Sequence, residues 1–539
     1  MARKRLGVVT DGAFNAGLTV RLDPGVSTEG LRIGEFVVIE GEENRYFSMV
    51  SDMQLRATDA GVLADPPRDA SPFIAQALRG TTTYATVQVK PMLMMARGAE
   101  TDFLVDMEPP QPVRTIPMHF AELHEATASD FGAVFGHEDK THFAMGTPLT
   151  MDIPICIDLE RLVERSNGVF GQSGTGKSFL VRLLLCGIIE SGVAVNLVFD
   201  MHDEYAFGKE SEDGVFVKGL KHLPFASKVL VYSLDEKAQA RGGRGVDVTL
   251  QIGMNQIEAE DVLLLAEELN LRATAEANVG LLTDAYGADW LSRFLAMSPA
   301  DISEFCNQYS AHEGSLAALQ RNLKRIERRP YVVPEAPFSV IDDMVAALDK
   351  GRHVILHFGR YDHPLDHMLV ANVVTRRVRH LYREKAERYE QTQSPADKPR
   401  PLMITIEEAH KFLNPAVSRQ TIFGIIAREL RKYHVTLTVV DQRPSGIDSE
   451  VLSQLGTRIT GKLTDERDIE AVLTGVSGRS FLRGALESLD TREQVLLVGH
   501  AVPMPIVVQT RKYDDAFFAA LGAEEKRSAR VDIVELFGE

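Results

Sequence analysis

The stretch GVFGQSGTGKSFLVRLLL, residues 168–185, decides the fold of this chain. It fits the pattern G-x-x-x-x-G-K-[ST] at Gly171, Gly176, Lys177 and Ser178. The NGVF before the loop can end a strand, and the SFLVRLLLCGII after it has the apolar face of a helix. This strand–loop–helix order predicts a P-loop, in which backbone N–H groups and a helix N-terminus surround phosphate oxygens.

A P-loop of this kind predicts ATP and Mg²⁺ as the cofactors. Lys177 is expected to reach the β- and γ-phosphates, and Ser178 is expected to hold Mg²⁺. The alternative is a glycine-rich turn with a surface lysine, which leaves the full motif between a strand and a helix unexplained. The expected nucleotide contacts are Gly171, Gln172, Ser173, Gly174, Thr175, Gly176, Lys177, Ser178 and Phe179.

Length and composition describe an ordinary globular protein of several domains. The chain has 539 residues, of which 44% are hydrophobic and 25% are charged. It has no apolar run of about 18 residues, so we expect no membrane span. Its three cysteines lie far apart, which favours a reducing cytoplasm over a disulfide framework. The net charge of −17 argues against a surface coated in positive charge, but it leaves room for a local basic channel.

The pattern along the chain changes twice. Residues 5–110 contain short β-branched runs such as EFVVIEG, which predict a small β-barrel. Strand–helix–strand patterns from residue 150 indicate a parallel α/β sheet, interrupted at 250–330 by a helical pattern almost without strand signal. The predicted boundaries are 1–115 for the barrel, 116–150 for a linker, 151–250 and 346–510 for two halves of the α/β core, 251–345 for a helical insertion, and 511–539 for a C-terminal tail.

A P-loop also needs acidic residues on a neighbouring strand, and PLMITIEEAHKFL supplies them. Glu407 and Glu408 follow an apolar strand, at the edge where ligands bind such a sheet. Glu407 is expected to join the Mg²⁺ shell, and Glu408 to orient the attacking water. The alternative is a helix N-terminus with acids placed favourably near its dipole.

The next segment, FGIIARELRKYHVTLTVVDQRPSGID, supplies further candidates. Arg428 and Arg431 are three residues apart and so share one helix face. Either is a candidate for an arginine that stabilises transition-state charge in a neighbouring subunit, and the alternative is a solvated basic face. Gln442 follows the strand after this helix and is expected to sense the γ-phosphate.

At this point the chain resembles a known family. The segments GQSGTGKS, VFDMHDEY, ITIEEAHKFL, ARELRKYHVTLTVVDQRPSGI and LSQLGTRITGKLTDERD, in this order, resemble the HerA family of hexameric DNA-translocating ATPases, relatives of FtsK. The resemblance covers most of the chain and implies a RecA-like α/β core with an N-terminal β-barrel and a helical insertion. It implies a homo-hexamer that acts on double-stranded DNA, with a nuclease or an anti-phage defence effector as partner.

The resemblance also assigns residues. It makes Lys177 and Ser178 the Walker A pair and Gln442 the sensor glutamine. It makes Glu407 and Glu408 the Walker B acids, and Arg428 or Arg431 the trans-acting arginine. The family's D-x-H-G-E-Y segment is matched at Asp200, His202, Glu204 and Tyr205.

The chain departs from the family pattern at three positions. Asp203 replaces the usual glycine of the D-x-H-G-E-Y segment, and Asp441 stands where a serine commonly precedes the glutamine. Lys462 stands where the family often has an arginine, and a lysine cannot make a bidentate phosphate contact.

Two functions share this active site. One is a ring motor that drives duplex DNA through a pore, and the other is an ATPase scaffold that assembles and regulates an effector enzyme. A basic pore loop would favour the motor, and the candidate is DEKAQARGGRGVDVTL, with Lys237, Arg241 and Arg244 among glycines. The alternative for that loop is an ordinary solvent loop. A P-loop kinase for a small molecule is disfavoured, because no element for binding an acceptor is evident.

Overall fold

The structure is a computed structural model in which the chain forms two compact units. The first unit comprises Met1–Leu162, Phe170–Lys177 and Gly456–Lys512, and the second comprises Val163–Val169, Ser178–Leu455 and Tyr513–Glu539. The structure describes residues 3–58, 82–97, 109–210, 214, 216–235, 245–336, 339–416, 418, 421–476, 478–490 and 493–521.

A closed antiparallel barrel begins the first unit. Six strands follow one another in the order β2-β1-β7-β3-β4-β5, and β5 pairs with β2 to close the ring. Apolar residues on the inward faces, among them Val20, Ile39 and Val87, are fully buried. Closure gives each of the six strands a hydrogen-bonded neighbour on both sides. The strands are β1 (Arg5–Ala13), β2 (Gly17–Leu22), β3 (Phe36–Glu40), β4 (Asn44–Ala57), β5 (Thr83–Ala96), a short β6 (Gln111–Pro112) on β5, and β7 (Glu122–Glu125).

Residues 116–150, predicted as a linker, contain regular structure. β7 completes the barrel by pairing with β1 on one side and β3 on the other. Helix α1 (Ala128–Phe135) and strand β8 (His142–Pro148) follow. A four-residue strand has no periodicity of its own to recognise, and its hydrogen-bonding partners lie about a hundred residues earlier in the chain.

The remainder of the first unit is a sheet with helices. Its strands follow the order β21-β22-β23-β8-β9, and all four neighbouring pairs are antiparallel. The new elements are β9 (Ile155–Asp158), α2 (Leu159–Val163), β21 (Thr457–Thr460), α14 (Glu466–Val472), α15 (Arg479–Ser488), β22 (Gln494–Gly499) and β23 (Ile506–Thr510).

The second unit contains the sheet that positions the site. Its strand order is β15-β14-β18-β11-β19-β20-β10, and the pairs from β15 to β20 are parallel. Every residue of β11, β18, β19 and β20 is buried, as expected for parallel strands covered on both faces. The strands are β10 (Asn167–Phe170), β11 (Val195–Asp200), β14 (Val229–Ser233), β15 (Val248–Thr249), β18 (His353–His357), β19 (Leu402–Ile406) and β20 (Val435–Asp441), with small pairs β12 (Lys209–Glu210) with β13 (Phe216–Val217) and β16 (Ile252–Gly253) with β17 (Val332–Val333).

Helices of the second unit include the predicted insertion. Arg376 on helix α10 (Pro364–Thr392) connects the insertion to the core, because its guanidinium donates to Asp261 at 2.7 Å and to the Gln256 carbonyl at 2.7 Å. The insertion helices are α4 (Ala259–Leu263), α5 (Ala275–Tyr286), α6 (Trp290–Ala296), α7 (Pro299–Tyr309), α8 (Glu313–Glu327) and α9 (Ser339–Asp349); the core helices are α3 (Lys177–Ser191), α10 (Pro364–Thr392), α11 (His410–Leu413), α12 (Ile422–Glu429) and α13 (Ser449–Gln454).

The predicted fold class is confirmed: an α/β RecA-like core, an N-terminal barrel and a helical insertion. Cys156, Cys186 and Cys306 are all buried free thiols. Within the described parts of the chain, no helix combines the length and apolar character needed to cross a membrane.

Candidate active site

The P-loop follows strand β10 and leads directly into helix α3. Gly174 and Gly176 have φ values of +80° and +86°, which side chains with a Cβ rarely adopt. An added Cβ would meet nothing within 4 Å at either position, so the backbone conformation, and not crowding, requires glycine there. The loop therefore curls as the sequence predicts.

Hydrogen bonds within the P-loop and to Lys462 stabilise its conformation. The Lys177 ammonium donates to the Gln172 carbonyl at 3.0 Å, and the Thr175 hydroxyl donates to the same carbonyl at 2.8 Å. The Gln172 N–H donates to the Lys462 carbonyl at 3.0 Å. A phosphate fits this arrangement, because its oxygens can replace a carbonyl as the partner of an ammonium.

Lys462 itself points elsewhere. Its ammonium donates to the carbonyls of Glu487 and Leu489, at 3.0 Å and 2.7 Å. These carbonyls belong to the end of helix α15, where a cation is favourable. The lysine at this departure from the family pattern therefore has a partner within the first unit.

Glu407 follows strand β19 and is 6% exposed. The Tyr205 hydroxyl donates to Glu407 Oε1 at 2.6 Å, while Oε2 is buried and has no hydrogen-bond partner among the described residues. Burial raises the pKa of Glu407 well above its usual range, and the negative charge of Glu204 adds to this. A cation bound at the unpaired oxygen would offset the cost of burying the charge of this carboxylate.

Mg²⁺ is compatible with these residues. The described part of the chain holds no group of three or more His, Cys, Asp or Glu residues arranged as metal ligands. Mg²⁺ does not need such a group, because it takes one or two carboxylates and completes its shell with phosphates and water. Glu407 and the Ser178 hydroxyl are the protein groups that fit this pattern.

Asp200 organises the segment that carries Tyr205. Its carboxylate accepts the backbone N–H groups of Glu204, Tyr205 and Ala206, at 2.7, 3.0 and 3.1 Å. Burial raises the pKa of Asp200. Arg182 donates through Nε to the Glu204 carbonyl at 2.8 Å and so supports the same turn. His202, by contrast, is exposed.

The departure at Asp203 has a conformational reason. Its φ is +56°, in the left-handed region that glycine adopts freely and aspartate tolerates better than most residues. The Asp203 carboxylate also lies 3.3 Å from Nε2 of His357, which offers a contact that glycine lacks.

Glu408 also has a positive φ, +47°. The Gln442 amide donates to Glu408 Oε1 at 3.3 Å. The two residues meet because β19 and β20 are parallel neighbours that end at the same edge of the sheet. The structure thus brings the predicted base and the predicted γ-phosphate sensor into contact.

The remaining candidates are placed less completely. Arg428 donates to the Ser418 carbonyl at 2.7 Å and lies 4.0 Å from Glu450. Arg431 lies on a short 3₁₀ turn, Leu430–Tyr433, and its side chain is outside the described residues. The proposed DNA contacts Lys237, Arg241 and Arg244 also lie outside the described residues. Phe179 is 40% exposed.

Sequence reasoning did not assign a role to His410 or to the contact between Tyr205 and Glu407. His410 lies 2.9 Å from the Asp441 carboxylate, which raises the pKa of the imidazole. The signal for His410 was its place three residues after Glu407 in EEAH, and the signal for Tyr205 was its place in the quoted DMHDEY segment.

Comparisons with known proteins show which proteins the chain is similar to. The family description "Helicase HerA, central domain" matches residues 143–378. The chain is 23% identical to the "DNA double-strand break repair helicase HerA" of Sulfolobus acidocaldarius over 98% of each chain. It is 24% identical to the protein of the same name from Pyrococcus furiosus, over 68% of this chain and 69% of that one.

The chain is similar to HerA proteins, in the central domain and over nearly its whole length. It is a P-loop ATPase. Among solved structures, VirB4 of Thermoanaerobacter pseudethanolicus is similar, with a TM-score of 0.44 and 14% identity over 70% of this chain and 98% of that one. The bacterial conjugative coupling protein TrwB is also similar, with a TM-score of 0.48 and 13% identity over 72% of this chain and 92% of that one.

Proposed function

We propose that this HerA-family ATPase forms a homo-hexameric ring that translocates double-stranded DNA, with a nuclease or an anti-phage defence effector as its partner. One observation carries the proposal: the likeness to a curated DNA double-strand break repair helicase extends over 98% of the chain. The likeness therefore extends over the barrel, the core and the insertion, and the relative is named for the repair of DNA breaks.

Within each site, the residues divide the chemistry. Lys177 neutralises charge on the β- and γ-phosphates, and Ser178 with Glu407 holds Mg²⁺, which supplies further positive charge there. Glu408 orients the attacking water and accepts its proton, while Gln442 reports on the γ-phosphate through its hydrogen bond to Glu408. The ground-state contact between Gln442 and Glu408 supports this pairing of roles.

An arginine from a neighbouring subunit completes the site in this proposal. Arg428 already donates to the Ser418 carbonyl of its own chain, so Arg431 is the preferred trans-acting residue. A closed ring makes every interface identical, which places one such arginine beside every P-loop.

The DNA contact is proposed for the loop with Lys237, Arg241 and Arg244. A net charge of −17 per chain means that any phosphate contact must come from a local group of cations. The test measures ATPase rate with and without linear duplex DNA, over a range of salt, together with particle mass. We expect stimulation by DNA that falls steeply with salt, and a particle mass of a ring.

The loop is tested by changing its three cations to Glu. We expect DNA stimulation to disappear while basal ATP turnover stays near wild type. The control variant changes three exposed cations elsewhere in the chain to Glu, namely Lys209, Arg272 and Arg321. It has the same change of charge and should keep the stimulation by DNA. Stimulation that survives in the loop variant would place the DNA contact elsewhere.

The scaffold function is the second candidate, and the acidic net charge favours it. A scaffold needs no DNA contact, so ATP turnover would respond to the effector protein instead. If the wild-type ring shows neither DNA stimulation at any salt nor movement along duplex DNA, the motor is wrong and the scaffold takes its place.

A further inference from the structure

One carboxylate ties the end of strand β20 to the segment after β19. Asp441 Oδ2 accepts the backbone N–H of His410 at 2.7 Å and lies 2.9 Å from the His410 Nδ1. Asp441 Oδ1 accepts the backbone N–H of Arg443 at 2.7 Å. The Asp441 side chain is fully buried and the His410 side chain is 33% exposed, so water weakens their contact less than it weakens a fully exposed surface ion pair.

The same pair reaches the proposed base. His410 Nδ1 lies 3.8 Å from Glu408 Oε2, and the Gln442 amide donates to Glu408 Oε1. Each oxygen of Glu408 therefore faces a side chain that Asp441 positions: His410 by direct contact, and Gln442 as the next residue on the chain. The backbone of Glu408 is in the left-handed region, which is uncommon for a residue other than glycine.

We propose that Asp441 and His410 are positioning residues for ATP hydrolysis, which together orient the Glu408 carboxylate and couple it to Gln442. The inference rests on the proposed role of Glu408 as the base. Asp441 stands where the family pattern has a serine, which could not form a comparable charged pair with His410. The coupling is therefore a property of this chain's own sequence.

The charge on His410 gives the proposal a measurable signature. The hydrogen bond from Asp441 raises the pKa of His410, Glu408 raises it further, and burial and Lys411 oppose both. The turn Pro444–Gly446 lies beside His410, because a Cβ built on Gly446 would be 3.2 Å from the His410 Cβ. None of the three residues of this turn has a titratable side chain.

The direction of the pH effect follows. A group with a raised pKa keeps its proton until the pH passes that raised value, so His410 is charged below it and neutral above it. Turnover that depends on charged His410 should fall as pH rises through this value. Asp441→Asn removes the main cause of the shift, so the fall should begin at a lower pH.

The experiment measures kcat and KM for ATP across the histidine titration range in wild type, Asp441→Asn and Asp448→Asn. Asp448 is the matched control, because it is also a hydrogen-bonded aspartate, but its partners are the Ser418 hydroxyl at 2.9 Å and the Glu450 N–H at 2.8 Å instead of His410. We expect Asp441→Asn to lower kcat about 10- to 100-fold, to leave KM within about twofold, and to move the alkaline fall to lower pH. Asp448→Asn should leave the pH profile unchanged.

Wild-type kcat and an unmoved alkaline fall in Asp441→Asn would overturn the proposal. So would a parallel loss of kcat and nucleotide affinity in both variants, since that result indicates a structural role only. If Asp441→Asn does not fold, His410→Gln replaces it in the experiment. Glutamine keeps a hydrogen-bond donor but does not titrate, so kcat of this variant should no longer fall at alkaline pH. A fall that persists in His410→Gln would also overturn the proposal. Glu408→Gln tests the role of Glu408 separately from the positioning role of Asp441 and His410. If this variant still hydrolyses ATP, Glu408 is not the base, and the proposed function of the site fails together with the positioning pair.

Discussion

The Tyr205 hydroxyl donates a hydrogen bond to Glu407 Oε1 at 2.6 Å, across 202 residues of sequence. Both residues are buried, and the Asp200 carboxylate holds the turn that carries Tyr205 through three backbone N–H groups. The DMHDEY and EEAH segments are thus parts of one arrangement. As a consequence, Glu407 Oε1 is held by Tyr205, while Glu407 Oε2 has no hydrogen-bond partner in the part of the chain that the structure describes.

Tyr205→Phe should weaken the use of Mg²⁺. Without the hydroxyl, the Glu407 carboxylate loses the donor that fixes its orientation, and such supporting contacts are worth about 10- to 100-fold in metal affinity. The measurement is the Mg²⁺ concentration for half-maximal ATPase activity, which we expect to rise at least about tenfold. Tyr382→Phe is the control, because the buried Tyr382 hydroxyl has no hydrogen-bond partner among the described residues. Equal Mg²⁺ dependence in the two variants would refute the role given to Tyr205.

Glu408→Gln should bind ATP normally and hydrolyse it very slowly. The amide can occupy the same space, but it cannot accept a proton from the attacking water. We expect kcat to fall at least about 100-fold, with nucleotide affinity within about twofold of wild type, measured by turnover and by equilibrium binding. Turnover at the wild-type rate would mean that another group acts as the base.

Mixed rings should reveal the trans-acting arginine. Lys177→Ala subunits lack a working P-loop, and Arg431→Ala subunits lack the arginine, so some interfaces of a mixed ring contain both intact residues. We expect partial recovery of ATPase activity on mixing. Lys177→Ala mixed with the Lys177→Ala, Arg431→Ala double variant should not recover, because no interface is then complete. If verified mixed rings stay inactive, the same mixing with Arg428→Ala tests the other candidate.

Asp203 should tolerate glycine better than alanine. At a φ of +56°, the left-handed backbone costs alanine about 1 kcal/mol more conformational free energy than it costs glycine. Part of this difference is cancelled, because glycine loses more chain entropy on folding. Both variants lose the contact with His357, so the comparison isolates the backbone. We expect thermal unfolding of Asp203→Ala to occur below that of Asp203→Gly. The reverse order would mean that the backbone conformation does not govern this position.

The linker prediction shows where sequence reasoning stops. Residues 116–150 contain prolines and little periodicity, yet β7 within them is a central barrel strand between β1 and β3. Its four residues are defined by hydrogen bonds to Arg5–Ala13 and Phe36–Glu40, which no local pattern announces. The same holds for His410, whose role depends on a carboxylate 31 residues further along the chain.

The sequence by itself determined the P-loop, the two acids after β19, the fold class and the resemblance to the HerA family, because each depends on short contiguous stretches of residues. A glycine-rich turn, a buried strand and a helix face are local patterns, and local patterns set local backbone geometry. The tertiary structure decided which side chains meet: Tyr205 with Glu407, and Asp441 with His410. Those contacts arise because parallel strands far apart in sequence end at one edge of a sheet, and packing then determines which polar groups are buried together.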